Sequence, residues 1–230
     1  MAARDGRSSS SLLRKARRYV QRRWNTKEYV VIFKTPTCPE SPASEGDQGH
    51  LFRMATPEDI PWMARHLGVW ATWCQGGGPV SSAEPMLREQ MEGKDITVIG
   101  VENRDDGALV FITYLSLDDF SLQLLGSAFT PGSDVSIRRS WVPPEHRRKG
   151  FAARGEIFAE AEAARRGLKG IWGYVQADNT ASLAMHRKLG YEHRGRACIR
   201  TRLKRRYAGI RLDPTADWRM ERIAYSISYL

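Results

Sequence analysis

Residues 135–203 switch repeatedly between strand-like and helix-like patterning, and that run constrains the fold more than any other part of the chain. "VSIRRSWV" reads as a strand. "VPPEHRRKGFAARGEIFAEAEAARRGL", residues 142–168, supplies two prolines, a basic triplet, a glycine and about four turns of helix. "IWGYVQA" is again strand-like, "TASLAMHRKL" is a helix stopped by Gly190, and "YEHRGRACIRTRL" is a strand. Upstream, "ITVIGVEN" and "ALVFITYLS" flank "RDDG", a strong hairpin signal. An antiparallel run followed by β-α-β-α-β predicts an α/β (α+β) protein, with helices on both faces of a mixed sheet.

In the first of these helices, Ile157, Ala161, Ala164 and Leu168 form a stripe suited to a sheet. Its first turn then lies at the C-terminal edge of "VSIRRSWV". Arg147, Arg148 and Lys149 precede it, where the partial positive charge of a helix N-terminus disfavours cations. A bound anion resolves that conflict. Free N–H groups of the "RRKGFA" turn would cradle phosphate oxygens, and Gly150, with no Cβ, would let them approach the backbone. The basic side chains would add charge-assisted contacts. A solvated basic turn is the plain alternative, because this combination is not a specific motif. Neither G-x-x-x-x-G-K-[ST] nor G-x-G-x-x-G is present.

The chain of 230 residues suffices for one domain with a full core. Its net charge of +10 is uneven: residues 1–24 hold eight Arg or Lys and one Asp, a net +7. Within that segment, residues 8–24 pattern as a basic amphipathic helix, with Leu12, Ala16, Val20 and Trp24 four apart. It suits solvent, an anionic membrane surface or a protein partner, or a cleaved organelle presequence. "EYVVIFKT" (28–35) reads as a strand and is followed by a Pro/Ser-rich linker. Residues 1–50 are thus set apart from a domain spanning 51–230. That domain opens with a short strand and a helix capped at Thr56 and Pro57. No apolar run is long enough to span a membrane. Three scattered cysteines (Cys38, Cys74, Cys198) argue for a reducing, cytoplasmic setting, peripheral to a membrane at most, and against a disulfide framework or a metal site.

About thirty residues beyond the basic turn comes "NTASLAMHRKLGY", 179–191. Together the two blocks resemble the GCN5-related N-acetyltransferase (GNAT) family. One family motif, Arg/Gln-x-x-Gly-x-Gly/Ala, is matched by Arg147, Arg148, Lys149, Gly150, Phe151 and Ala152. A second, Asn-x-x-Ser/Ala-x-x-Leu-Tyr-x-Lys-x-Gly-Phe/Tyr, is matched from Asn179 to Tyr191. Residues 51–203 carry the resemblance.

The resemblance implies the acyl-CoA N-acyltransferase fold, with a splayed mixed sheet, and an acetyl-CoA-dependent N-acetyltransferase acting on a primary amine by direct transfer. It implies acetyl-CoA as co-substrate and no metal. Residues 147–152 would hold the diphosphate, Trp141 and Val142 would line the pantetheine with main-chain groups, and Asn179, Ser182 and Lys188 would lie near the cofactor. Asn179 also suits a helix cap. Two departures bear on catalysis. His186 replaces the usual tyrosine beside the sulfur; with a reference pKa of about 6.5 it could donate or relay a proton, or simply pack. The strand before the first motif reads Ile137, Arg138, Arg139, Ser140, with no carboxylate, so the general base falls to Asp118, Asp119, Asp134, Glu145 or water. The alternating Arg194, Arg196, Arg200, Arg202 and Lys204 suit either a solvated face or an anionic amine such as a nucleotide-linked amino sugar. Nucleic acid is disfavoured as a partner, since no interleaved stacking aromatics appear. A homodimer is compatible with the resemblance. Two other readings stay open: a CoA-binding protein without turnover, and a surface-bound acyltransferase acting on lipid or polysaccharide precursors.

Overall fold

The structure is a computed structural model. It describes residues 24–38, 49–67, 83–92, 96–102, 107–116, 134–202, 205–212, 215, 217 and 219–223, with the backbone alone at 24–25, 83, 86, 89–90, 92, 116, 135–139, 206, 219–221 and 223. In chain order the elements are β1 (Trp24–Lys34), β2 (His50–Met54), α1 (Ile60–His66), α2 (Ala83–Glu92), β3 (Ile96–Glu102) and β4 (Leu109–Ser116). They continue with β5 (Asp134–Trp141), α3 (Phe151–Arg165), β6 (Gly170–Gln176), α4 (Thr180–Lys188), β7 (Glu192–Arg202), β8 (Arg205–Arg211) and β9 (Arg219–Ile223). Among the described residues, nine strands form one mixed sheet in the order β2-β3-β4-β5-β6-β1-β7-β8-β9. The pair β5–β6 is parallel and the other neighbours are antiparallel.

Alternation along β4 divides the core. Phe111 and Leu115 join Phe151, Ala159 and Ala163 of α3 on one face, while Ile112 and Tyr114 join Ile60, Met63 and Leu87 of α1 and α2 on the other. Leu183 and Leu189 bring α4 onto the α3 side. Helices therefore cover both faces, and the mixed-sheet expectation holds.

The start of α1 is built as its sequence suggests, with one change. Pro57 opens a short 3₁₀ turn before the helix, and the Asp59 carboxylate accepts from the Thr56 backbone N–H at 2.8 Å. Arg53 clasps the same carboxylate with both terminal nitrogens at 2.6 Å, and this holds Asp59 below the usual carboxylate range despite its partial burial.

β1 sits in the middle of the sheet, antiparallel to β6 on one side and β7 on the other. The strand set apart with residues 1–50 is therefore an integral part of the sheet. Its partners are more than 100 residues away, which local patterning does not register. Trp24, expected to end a helix, opens this strand instead, and the rest of that segment lies outside the described residues. β8 forms a separate hairpin strand with β7, where the sequence showed only one strand.

Candidate functional site

The parallel pair is short. Ladder partners run from Asp134↔Gly170 to Ser136↔Trp172 and stop there. Beyond that point β5 stays paired with β4 as far as Trp141, and β6 with β1 as far as Gln176. The two strands therefore diverge, and backbone groups at 137–141 face an opening instead of a neighbouring strand. A bulge at Arg138, skipped between Arg139↔Tyr114 and Ile137↔Leu115, bends β5 at that point. Sequence patterning gave both strands but not the place where they part.

Past Trp141 the chain makes a 3₁₀ turn at Pro144–His146 and enters α3. Arg148 has φ 63° and Gly150 has φ 83°. Two left-handed residues so close curl the backbone into a concave turn whose N–H groups can converge on an anion. Within α3 the Arg154 N–H reaches Gly150 O at 3.1 Å, so Phe151, Ala152 and Ala153 keep N–H groups with no carbonyl in the helix. Arg147, Arg148, Lys149 and Gly150 are exposed, Ala152 is half-buried and Phe151 is buried. The Phe151 ring lies against His50 (4.6 Å between centroids) and beneath the Arg154 guanidinium, so Phe151 anchors the turn to the core. Arg147 Nε donates to Val142 O at 3.2 Å, which occupies one of the main-chain groups expected to line the pantetheine. Trp141 packs its side chain toward α1 and α2, and Val142 toward α3.

α4 starts where β6 ends. Asn179 caps it: its side-chain oxygen accepts from the Ser182 N–H at 3.2 Å, leaving its amide NH₂ for other partners. Lys188 is exposed and Ser182 half-buried. His186 is 6% exposed, edge-on to Tyr191 at 5.0 Å. Its Nδ1–H donates to the Ser182 carbonyl at 2.8 Å, which fixes the tautomer and leaves Nε2 with a lone pair. Burial pushes its pKa down, against the smaller opposing effect of that hydrogen bond. In this state Nε2 can accept a hydrogen bond.

The stripe on α3 differs from expectation. The helix turns Gly155, Glu156, Ala159, Glu160 and Ala163 toward the core; of the expected stripe Ala161 is buried, while Ile157, Ala164 and Leu168 are only partly buried. The reason is Phe111: its ring fills the space over Gly155, and any Cβ there would collide with it. Two glutamates are thereby carried inside, 1% and 3% exposed. Glu156 accepts a hydrogen bond from Ser140 Oγ; Thr113 Oγ1 lies 2.8 Å from that oxygen and 3.5 Å from Glu156 Oε1. Desolvation raises the Glu156 pKa to about 7, with Ser140 opposing and the neighbouring Glu160 charge adding. Glu160 forms a short ion pair with Lys34 of β1, yet burial outweighs the pairing and its pKa is also raised. Burial and then the two carboxylates push the Tyr191 phenol well up; its hydroxyl has no hydrogen-bond partner of good geometry although it lies close to Glu160.

Of the carboxylates weighed as a base, Asp134 accepts from Trp172 Nε1 at 3.1 Å at the paired end of β5, and Glu145 is exposed. Asp118 and Asp119 lie outside the described residues. Arg196, Arg200 and Arg202 of β7 are exposed, as is Arg194, which is paired with Glu192 at 2.7 Å. β1 stands between β6 and β7, so this face is farther from the opening than expected. Among the described residues no helix is long and apolar enough to cross a membrane, and no group of three His, Cys, Asp or Glu side chains is placed to hold a metal.

The sequence model of the GNAT acetyltransferase family matches residues 62–191. Comparison with the curated proteins finds no match. Among solved structures, a GCN5-related N-acetyltransferase from Sphaerobacter thermophilus is 19% identical, with 85% of this chain and 58% of that one covered and a TM-score of 0.53. A Drosophila protein is 15% identical over 85% of this chain and 59% of its own, with a TM-score of 0.50. A glucosamine N-acetyltransferase region of a fungal multi-domain GH3 β-N-acetylglucosaminidase is 13% identical over 82% of this chain and 22% of its own, with a TM-score of 0.54. This chain thus spans less than two thirds of each of those proteins. At such identities the likeness is one of fold.

Proposed function

The chain belongs to the GNAT acetyltransferase family, and from that premise we propose that it is an acetyl-CoA-dependent N-acetyltransferase acting on a primary amine of a small molecule. One observation carries this reading. The unpaired halves of β5 and β6 end beside an exposed, basic, left-handed turn at the start of a 15-residue helix. An extended amide-bearing arm fits such an opening as an added strand, and a diphosphate fits such a turn. Acetyl-CoA has both parts and would supply an activated acetyl thioester.

In this reading the N–H groups of Gly150, Phe151 and Ala152 would bind phosphate oxygens, with Arg147, Arg148 and Lys149 as charged partners. The main chain at Trp141 and the free amide of Asn179 would hold the arm from its two sides. Ser182 and Lys188 would border it on α4. His186, neutral and with Nε2 unprotonated, would orient groups near the reacting end and accept hydrogen bonds there, not act as an acid. The acceptor's chemistry is open to anionic amines. Arg196 is exposed two strand positions from β6, about 10 Å away, and Arg200 and Arg202 continue along β7 past the end of the β1–β6 ladder. A nucleotide-linked amino sugar is long enough to span that distance.

The test is thiol release from acetyl-CoA with a panel of amines: amino sugars, their nucleotide-linked forms, polyamines, amino acids and short peptides. Release with one class supports the reading and names the acceptor. Binding of acetyl-CoA without release from any amine would leave a CoA-binding protein without turnover, and absence of binding would remove the reading entirely.

A further inference from the structure

The base left unassigned by the sequence has a candidate that no strand carboxylate supplies. Ser140 lies on β5 in the half that has parted from β6 and is itself exposed, yet its hydroxyl donates to a carboxylate that is almost completely buried. A hydroxyl on an exposed residue joined directly to a buried acceptor can carry one proton between the opening and the core. Thr113, ladder partner of Ser140, holds the hydroxyl from the other side. An apolar residue at position 156 would pack on this sheet without needing a partner, so a carboxylate here calls for another explanation. Simple satisfaction of β4 and β5 hydroxyls does not call for a charge.

We propose that Ser140 takes the proton released by the acceptor amine and passes its own to Glu156, which makes Ser140 a catalytic residue and Glu156 the positioned proton acceptor behind it. The inference rests on the acetyl-transfer reading above. The amine lone pair forms a C–N bond to the acetyl carbon, the C–S bond breaks, and the thiolate leaves with its electron pair. The surplus N–H proton moves to Ser140 Oγ as the Ser140 proton moves to a Glu156 oxygen. Neutral Glu156 then returns a proton along the same path to the thiolate or to water, so the cycle closes without any other reactant.

The groups around Glu156 agree with an acceptor that works near neutrality. Glu160, one turn on, and Tyr191 after α4 face it; Lys34 of β1 pairs with Glu160 and not with Glu156. Among the described side chains, β4 and β5 present neutral hydroxyls to it. Among the described side chains no cation pairs with it, and burial lets it exchange a proton at about pH 7.

Two readouts test this. In the free protein, infrared difference spectra between pH 5 and pH 9 should contain a protonated-carboxyl band with its midpoint near 7. That band should vanish in Glu156→Gln and shift in Ser140→Ala, which removes its hydrogen bond. In turnover with the amine found above, Glu156→Gln should lower kcat about a hundredfold. It should also remove the acidic limb of the pH profile and leave KM for acetyl-CoA within about twofold. Glu156→Asp should restore part of kcat and return the limb. An unchanged pH limb in Glu156→Gln, with wild-type release intact, would overturn the relay alone. No release from the wild type with any amine would overturn the acetyl-transfer reading, and the relay with it.

Discussion

The two stretches of α3 treat charge in opposite ways. Before its first turn stand three cations in water, on a backbone twisted to leave N–H groups free. One to three turns later two carboxyl groups sit inside the core, tied to Ser140, Thr113 and Lys34. Cations left in solvent cost the fold little, so a ligand can engage them without unravelling anything. Carboxylates taken out of water are costly unless partnered, so each must be matched from another strand before the helix can dock. Substitutions at the start should therefore change binding and spare the fold. Substitutions on the buried face should change the fold and its pH response.

Lys34→Met gives the largest break. It strands Glu160 at 3% exposure with its remaining oxygen already unpartnered. Leaving a buried charge without its partner costs about 3 kcal/mol or more. For a chain of this size that corresponds to a fall of roughly 6–12 °C in Tm, read by calorimetry. Lys34→Met combined with Glu160→Leu should regain most of the loss, since the pair then vanishes together. A single mutant as stable as the wild type would show that the ion pair contributes nothing, and the contrast between the two stretches would lose its basis.

Glu156 provides a break with a sign. Its folded pKa, about 7, lies above the reference value of 4.5, so between those values the folded state holds a proton that the unfolded state has lost. Stability must then fall as pH rises through that window, by on the order of 3 kcal/mol, and level off above about 8. Urea unfolding at pH 5 and pH 8.5 measures it. Glu156→Gln keeps an acceptor for Ser140 but cannot ionise, so its stability should fall clearly less than that of the wild type over the same range, the remainder coming from Glu160, whose pKa is also raised. A wild type that gains stability with pH would contradict the burial argument.

This contrast also explains what the sequence could convey. Strands, helices and the basic turn at 147–152 are local: a pleated alternation, a cap at Asn179, and a glycine beside basic residues each leave their mark within a few positions. The place of β1 between β6 and β7 is not local, nor is the parting of β5 from β6 after Ser136, because both depend on which distant strand pairs with which. The Glu156 network is hidden for a further reason. Glutamate on a helix normally reads as a solvated face, and only Phe111 crowding Gly155 turns that face inward.

Gly155→Ala sharpens that last point. Helix propensity alone predicts a gain of about 1 kcal/mol. The added methyl group would instead run into the Phe111 ring, and overpacking of this kind costs about 1–3 kcal/mol. The net effect should be a loss, visible in urea midpoints and relieved by Phe111→Leu. Gly150→Val is its counterpart at the other end. Nothing lies within 4 Å of an added Cβ there, so the stability cost is the left-handed backbone alone, about 1–2 kcal/mol. Acetyl-CoA affinity, measured by calorimetry, should fall much more steeply than that cost implies, because the side chain would stand where a phosphate approaches.

The smallest effect on stability belongs to the triple change Arg147→Ala, Arg148→Ala, Lys149→Ala. All three side chains are exposed, and Arg147 donates to the Val142 carbonyl at 3.2 Å, also at the surface. Exposed substitutions of this kind stay within about 0.5 kcal/mol, so the urea midpoint should hardly move. Acetyl-CoA affinity should drop at least tenfold, since charge-assisted contacts to phosphate contribute about 1.5–3 kcal/mol each. The binding that remains should respond less to salt than that of the wild type, because the screened cations are gone. Affinity lost together with its salt dependence, with the fold intact, is the pattern expected when exposed cations serve a ligand. Affinity retained would mean that the turn holds its diphosphate by backbone N–H groups alone, or that the diphosphate binds elsewhere, and Gly150→Val decides between these.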